Sequence, residues 1–222
     1  MLSIKRSIIT TLICALLLSA GATVAMCAQT QSAAPLGNKD ADKNETAIGD
    51  LVADSVRSAL QTNIAFVAAS ELKAKNTPFA VGKIVSDDIS SLISYPDDPL
   101  AVIALDGKTI KLVLERAISI YPQPNLGFVQ ISGMRFTFDA KRPTGSRVTS
   151  IAVGTSPIVD GQSYTVAVTN SMANGALGYW KIWSQGAIIK RLPDTTIEKA
   201  VGKYFDANPT IKYNTLDRIT AK

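Results

Sequence analysis

Apolar residues follow two different spacings along this chain. In residues 45–60, 109–120 and 194–207 they recur at steps of three and four, which places them on one face and predicts three amphipathic helices. A shorter helix is predicted over residues 86–93, where Ser86 is suited to be the N-cap. Short apolar or alternating runs between polar residues predict strands at 64–68, 100–105, 128–131, 134–138, 148–154, 164–169 and 211–219.

The predicted helices and strands do not alternate regularly. This order favours the α+β class, with a mixed β-sheet packed against helices, over a regularly alternating parallel fold. We expect one domain over residues 45–222. Residues 29–44 are polar and rich in Ala, Ser, Asn, Lys and Asp, so we expect them to form a disordered linker.

The first 28 residues have the pattern of an export signal. Lys5 and Arg6 precede an apolar run over residues 7–25, and small residues follow over 22–28, so we predict a signal peptide at 1–28 and a periplasmic or extracellular location. An uncleaved membrane anchor is the alternative, because the run is close to the length that spans a bilayer. Cys27 suggests a lipoprotein signal, but Met26 departs from the small residue usual before that cysteine. Membrane attachment is therefore expected only through the signal or a lipid.

Composition excludes several kinds of active site. The chain contains no histidine, so neither a His-containing two-metal phosphoesterase site nor a Ser-His-Asp triad can form from it. Its two cysteines, Cys14 and Cys27, both lie in the signal region. We predict no metal site, no cofactor and no catalytic residue of a known pattern, although chemistry through Lys, Tyr, Ser or carboxylates leaves enzymatic activity open.

Charge gives no indication of nucleic-acid binding. Without Lys5 and Arg6, the basic count falls from 23 to 21 against 18 acidic residues, which is a modest excess. The pair Lys190-Arg191 has no aromatic-interleaved basic stripe around it. We therefore expect no nucleic-acid partner.

Three segments together resemble a known family. Residues 127–139 read GFVQISGMRFTFD, residues 143–148 read PTGSRV and residues 164–170 read YTVAVTN. They are similar to the C-terminal, substrate-binding domain of the 5'-nucleotidase family, which includes periplasmic UDP-sugar hydrolases, and the similarity runs over residues 45–219. The resemblance implies the same α+β fold. It also implies that the metal-dependent chemistry belongs to a separate N-terminal domain.

Two of the family's substrate-binding motifs are altered. The resemblance implies a Gly-rich turn ending in Arg after the first strand; residues 68–73 read AASELK, so only Lys73 keeps a positive charge there. A solvated surface lysine is the alternative. The motif Pro-Phe-Gly-Asn aligns with residues 95–98, which places Tyr95 and Asp98 at the site, while Pro96 replaces the stacking ring. Tyr95 can offer a flat face to a base, or it can be an ordinary loop residue.

A third motif, Gly-Gly-Asp-Gly-Tyr, aligns with residues 175–179, which read GALGY. The resemblance implies substrate contacts from Asn170, Asn174, Gly175 and Tyr179, although Leu177 replaces the polar Asp. The alternative is that these residues persist because the turn needs them, since glycine tolerates positive φ.

Two tryptophans follow this turn. Trp180 and Trp183 fit core and rim positions. Alternatively, they line a more apolar pocket together with Leu177 and Met172.

Three functional hypotheses remain open. The first is an exported, stand-alone, non-catalytic module that binds a small molecule, nucleotide-like or other, or a partner at an altered nucleotide cleft. The second is the substrate-binding half of a split 5'-nucleotidase in nucleotide catabolism, whose metallophosphoesterase is a separate chain. The third is a structural envelope protein. Since a fold does not determine a function, only the site can decide between them.

Overall fold

A computed structural model describes residues 30–222 of the protein. The predicted signal peptide and Cys27 lie outside the described residues. The helices are α1 (Ala47–Leu60), α2 (Ser86–Ser90), α3 (Gly107–Ala117), α4 (Asn170–Ala173) and α5 (Ile197–Ala207). The strands are β1 (Gln31–Ser32), β2 (Leu36–Asn38), β3 (Ile64–Ala68), β4 (Lys75–Phe79), β5 (Gly82–Lys83), β6 (Pro99–Asp106), β7 (Val129–Ser132), β8 (Met134–Phe138), β9 (Val148–Val153), β10 (Ser156–Pro157), β11 (Ser163–Thr169), β12 (Ile188–Thr196), β13 (Thr210–Ile211) and β14 (Ile219–Ala221).

The central sheet is mixed, as predicted for the α+β class. Its strand order is β12-β6-β11-β3-β7, in which β11 and β3 run parallel and the other pairs antiparallel. All five residues of β3 are buried: Phe66 joins the core beneath α3 and Val67 joins the core beneath α1 and α5. Side chains of a strand alternate between faces, so this continuous apolar run shows that both faces of the sheet are covered.

Helix α1 forms where the apolar spacing predicts it. Thr46 caps its start, because the Thr46 hydroxyl accepts a hydrogen bond from the Gly49 amide at 3.0 Å. Gln61 ends the helix in the left-handed conformation with φ 53°. Between them, Ile48 and Leu51 are fully buried against the sheet. The predicted helix and its apolar face are confirmed.

Two element boundaries differ from the sequence prediction for local reasons. Ser86 is not the cap of α2; instead, the Asp88 carboxylate accepts a hydrogen bond from the Val85 amide at 3.0 Å. Residues 194–196, predicted as helix, complete the long edge strand β12. Helix α5 begins only after Thr196, whose hydroxyl accepts from the Lys199 amide.

The prediction of a disordered linker is wrong for residues 30–44. Strand β1 pairs in parallel with β13 and antiparallel with β5, while β2 pairs with β4. Leu36 is fully buried in the core beneath α1. The polar composition concealed an alternation in which small or apolar residues turn inwards, so this segment belongs to the folded domain.

A charged cluster joins the start and the end of the folded chain. The Arg218 guanidinium donates to both carboxylate oxygens of Asp54 on α1, at 2.8 and 2.9 Å, and also to the Ile131 carbonyl at 2.9 Å. Tyr213 donates its hydroxyl proton to the same carboxylate at 2.9 Å. A bidentate, mostly desolvated pair of this kind is among the stronger polar contacts available to a protein. It fixes the C-terminal segment against α1 and the central sheet.

Asp50 contributes little to this ion pair, although it lies near Arg218. Its Oδ2 is 3.5 Å from the Arg218 Nε, and neither of its carboxyl oxygens has a hydrogen-bond partner among the described residues. Burial raises the pKa of Asp50 to about 9, despite the opposing effect of the Arg218 charge. Asp54, which accepts the hydrogen bonds, is therefore the main carboxylate partner of Arg218.

Leu36→Ala tests the order of residues 30–44. Because Leu36 is fully buried, we expect the substitution to lower the free energy of unfolding by about 2–5 kcal/mol, measured by urea denaturation. Leu112→Ala is the control, since Leu112 is 49% exposed on α3, and its effect should stay within about 0.5 kcal/mol. Equal effects of the two substitutions would contradict the packing described.

Arg218→Ala tests the charged cluster. The substitution leaves the partly buried Asp54 carboxylate without its cation, so we expect a loss of about 2–4 kcal/mol in the free energy of unfolding. Arg142→Ala is the control, because Arg142 is exposed and bonds only within its own loop, to the Ser146 carbonyl. A loss no larger than that of the control would show that the cluster does not hold the fold together.

Candidate functional site

A cavity of about 290 Å³ opens where two parallel strands end. The carboxyl ends of β3 and β11 meet at one edge of the sheet, and each continues into a short helical turn, Ala69–Glu71 and α4 respectively. Two loops complete the walls. The cavity is lined by Ser70, Glu71, Tyr95, Leu126, Ser171, Met172, Ala176 and Leu177.

Glu71 is the one charged residue in this lining, and it is 4% exposed. Its Oε1 accepts a hydrogen bond from the Thr169 hydroxyl at 3.0 Å, whereas its Oε2 has no partner among the described residues. Burial raises the pKa of Glu71 to about 7, the Thr169 hydrogen bond opposes this rise, and the charge of Asp98 adds to it. The cavity therefore contains a desolvated carboxyl group that titrates near neutral pH.

Tyr95 and Asp98 lie on the loop that closes one side of the cavity. Tyr95 is 57% exposed and lines the cavity, so its ring is accessible to a ligand. Asp98 uses its Oδ2 to accept a hydrogen bond from the Ser171 amide at 3.2 Å, which joins this loop to α4. The structure thus places Tyr95 in the cavity lining and Asp98 beside it, with Tyr95 as the exposed surface.

Asn170 and Asn174 lie beside the cavity, on and just after α4, but their side chains are occupied. Both amide oxygens accept hydrogen bonds from the Arg191 guanidinium on β12, that of Asn174 at 3.0 Å. Neither asparagine lines the cavity. Their role in this structure is to hold α4 against the edge strand.

Leu177 enters the cavity wall in an uncommon backbone conformation. Its φ is 60°, a left-handed value that is costly for a residue with a Cβ. The Leu177 carbonyl accepts a hydrogen bond of 2.6 Å from the Arg116 guanidinium on α3, which helps to hold the conformation. An apolar side chain is thereby fixed at the position where the family motif has Asp.

Comparison with known proteins identifies the domain. The model of the 5'-nucleotidase C-terminal domain matches residues 23–184. The chain belongs to the 5'-nucleotidase C-terminal domain family. Among curated relatives, it is 26% identical over 106 residues to a 5'-nucleotidase of Diplobatis ommata, covering 44% of this chain and 18% of that protein. It is 27% identical over 146 residues to an apyrase of Aedes albopictus, covering 61% and 26%.

Solved structures confirm the fold. The 5'-nucleotidase precursor of Thermus thermophilus superposes with a TM-score of 0.75 and 25% identity, over 86% of this chain and 39% of that one. The NAD nucleotidase of Haemophilus influenzae gives a TM-score of 0.72 at 14% identity, over 87% and 38%. The chain thus spans well under half the length of these proteins.

This 5'-nucleotidase C-terminal domain departs from the predicted site at Lys73. Its ammonium group donates to the Ser91 carbonyl at 3.1 Å, and the residue does not line the cavity. The structure therefore corrects the prediction that Lys73 keeps a positive charge at the site. The same turn instead places Glu71 there. Glu71 was not predicted from the sequence; the available signal was a carboxylate directly after a buried strand, where the family has a glycine-rich turn.

Gly175 and Tyr179 are structural residues of this domain, which corrects their assignment to the substrate site. A Cβ on Gly175, whose φ is 90°, would lie 2.5 Å from the Trp180 Cβ. Tyr179 is fully buried, donates its hydroxyl proton to the Gly127 carbonyl at 2.7 Å and stacks on Trp183. Its ring has no face left for a ligand.

Trp180 and Trp183 are rim and core residues, and neither lines the cavity. Trp183 is a core residue at 7% exposure, and Trp180 is 66% exposed but does not line the cavity. Met172 and Leu177 do line it, so the cavity is more apolar than the family motif suggests.

A second cavity of about 290 Å³ adjoins the first across Leu126, which lines both. Its wall includes Lys39, Asp40 and Asp42, from the segment that sequence composition assigned to a linker. The hydrogen bond from the Asn125 amide to the Asp42 carbonyl, at 2.8 Å, holds this segment in place. Residues 38–42 therefore extend the cleft.

A larger cavity, about 570 Å³, is a polar groove elsewhere on the domain, lined in part by Arg57, Arg135 and Arg218. Arg218 is committed to Asp54, and the Arg57 Nε donates to the Ser132 hydroxyl at 2.7 Å. None of the predicted site residues lines this groove. The cavity lined by Glu71 and Tyr95 is the candidate site, because predicted residues and an unpaired buried carboxyl group meet there.

Neither a metal centre nor a membrane span is found in the part of the chain that the structure describes. Residues 30–222 contain no group of three or more His, Cys, Asp or Glu side chains placed to hold an ion. Within the same residues, no helix combines the length and apolar character needed to cross a bilayer.

Proposed function

We propose that this chain is an exported, non-catalytic binding module that takes a small molecule in the cavity lined by Glu71, Tyr95 and Leu177. The observation that carries the proposal is a formed cavity whose lining suits binding. A half-exposed aromatic ring and apolar side chains surround a single buried carboxyl group. Pockets of this composition, mostly apolar with few polar groups, are characteristic ligand sites.

The lack of catalytic chemistry is proposed on composition. The chain has no histidine, and the described residues offer no metal-binding cluster. Nucleotide hydrolysis of the two-metal type needs ligands that this chain does not supply. Export is proposed on the pattern of residues 1–28, a charged start followed by an apolar run.

A second candidate is the substrate-binding half of a split 5'-nucleotidase. It is favoured by the family, because the relatives and solved structures that the chain matches include 5'-nucleotidases. In this version, a separate metallophosphoesterase chain docks beside the cavity and supplies the metal. The third candidate, a structural envelope protein, requires no ligand.

A thermal-shift screen combined with a phosphatase assay distinguishes these candidates. A ligand that binds only the folded state raises the melting temperature, so we expect a saturable rise with at least one class of compound among nucleosides, nucleoside monophosphates, UDP-sugars, organic cations and organic anions. We expect no hydrolysis of nucleotides by the purified chain with Mg²⁺, Mn²⁺, Co²⁺ or Zn²⁺.

A pair of matched variants assigns the binding to the cavity. Ser171→Trp places a large side chain at an exposed position in the lining and should abolish the shift, whereas Ser163→Trp, at the opposite end of β11, should preserve it. Hydrolysis restored by adding a metallophosphoesterase chain would establish the split enzyme instead. Turnover by the pure chain, or no shift with any compound class, would overturn the proposal.

A further inference from the structure

The Glu71 carboxyl group lacks half of its hydrogen-bond partners. Thr169 satisfies Oε1, while Oε2 is buried and unpaired among the described residues. A buried carboxylate without a partner costs folding free energy, and proteins normally pair such groups. Because Oε2 is buried in this structure, a ligand in the adjoining cavity reaches it by a small rotation of the Glu71 side chain, and the hydrogen bond that the ligand then donates recovers that free energy.

The surroundings of Glu71 favour a positively charged donor. Asp98 is the nearby charge that acts on Glu71, and it is also acidic. Two arginines bond to segments beside the cavity: Arg116 donates to the Leu177 carbonyl, and Arg191 donates to the side-chain amide oxygen of Asn170. The other titratable group in the lining is the Tyr95 phenol. None of these groups pairs with the Glu71 carboxylate.

The remaining walls determine the body of the ligand. Leu126, Met172 and Leu177 present apolar side chains, and the Tyr95 ring is 57% exposed at the rim. An aromatic face attracts both flat rings and cations. The cavity volume of about 290 Å³ suits a small molecule.

We propose that this cavity binds a small organic cation, with a flat or short apolar body against Tyr95 and Leu177 and an amidinium or ammonium group donating to Glu71. The inference rests on the proposed function, because it specifies the ligand class of the same cavity. The phosphate group of a nucleotide is excluded from this position, since two acidic side chains would repel it and Lys73 is bonded elsewhere.

Three compounds of nearly equal shape test the inference: benzamidinium, neutral benzamide and anionic benzoate. Binding to the purified full chain is measured by isothermal titration calorimetry. Near pH 8.5 Glu71 is ionised, so we expect benzamidinium to bind at least about tenfold more tightly than benzamide, and benzoate not to bind.

The pH dependence provides a test that needs no variant. The pKa of Glu71 is about 7, and benzamidinium keeps its charge throughout the range. Lowering the pH from about 8.5 to about 5.5 protonates Glu71 and should weaken benzamidinium binding about 30-fold. The affinity of benzamide should change little.

Glu71→Gln removes the charge and keeps the shape. Because it replaces a buried group that lacks a partner, we expect the variant to fold, as checked by its melting curve, and to bind benzamidinium at least about tenfold more weakly, with no pH dependence. Glu198→Gln, at an exposed position on α5, is the matched control and should leave the affinity unchanged.

The outcomes separate the two proposals. Selective, Glu71-dependent binding of benzamidinium supports both. Binding of benzoate or of nucleoside monophosphates in the cavity, or equal binding of benzamidinium and benzamide, overturns the cation inference and leaves the binding module intact. Absence of binding by all these compounds overturns the cation inference, and the binding module is overturned as well only if the thermal-shift screen shows no rise with any compound class.

Discussion

The ion pair between Arg218 and Asp54 is the contact on which the rest of the domain depends. One guanidinium group contacts α1 through Asp54 and the central sheet through the Ile131 carbonyl, close to where β14 begins. Burial raises the pKa of the neighbouring Asp50, which makes no hydrogen bond to Arg218, so Asp54 is the main partner of the guanidinium group. Because α1 packs directly on β3 and β7, this pair links the last strand of the chain to the first buried strand.

The candidate site follows from that arrangement. Once β3 lies parallel to β11, the residues that leave their carboxyl ends must meet. In this chain they bring a buried Glu71 against Met172 and Leu177, with Tyr95 at the rim. The chain has the fold of the 5'-nucleotidase C-terminal domain, and the cavity at these strand ends is lined by one charged side chain, which is acidic.

Sequence patterns predicted the helices that bury one face and the strands that bury both faces. All residues of the continuous apolar run in β3 are buried, and the apolar residues spaced by three and four in α1 form its buried face. Strand β12 was missed because it is an edge strand with mostly exposed residues, and residues 30–44 because their short strands pair only with distant segments. Long-range pairing of this kind leaves little periodic signal in two- or three-residue strands.

Site residues were harder to predict than elements. The motif alignment predicts Tyr95, which lines the cavity, whereas Gly175 and Tyr179 have structural roles in the turn and the core. Lys73 and Glu71 lie two residues apart, and only the shape of the turn decides which of them lines the cavity. Sequence alignment assigns the position, whereas the side-chain direction requires the structure.

The cavity lies beside a buried carboxyl group, that of Glu71, with one unpaired oxygen among the described residues. Carbon-13 NMR titration of the glutamate side-chain carboxyl signals measures this directly, with Glu71→Gln identifying the resonance. We expect the Glu71 signal to titrate at about pH 7 in the unliganded domain. A midpoint at the ordinary value of about 4.5 would mean that Glu71 is solvated or paired, and would contradict the account.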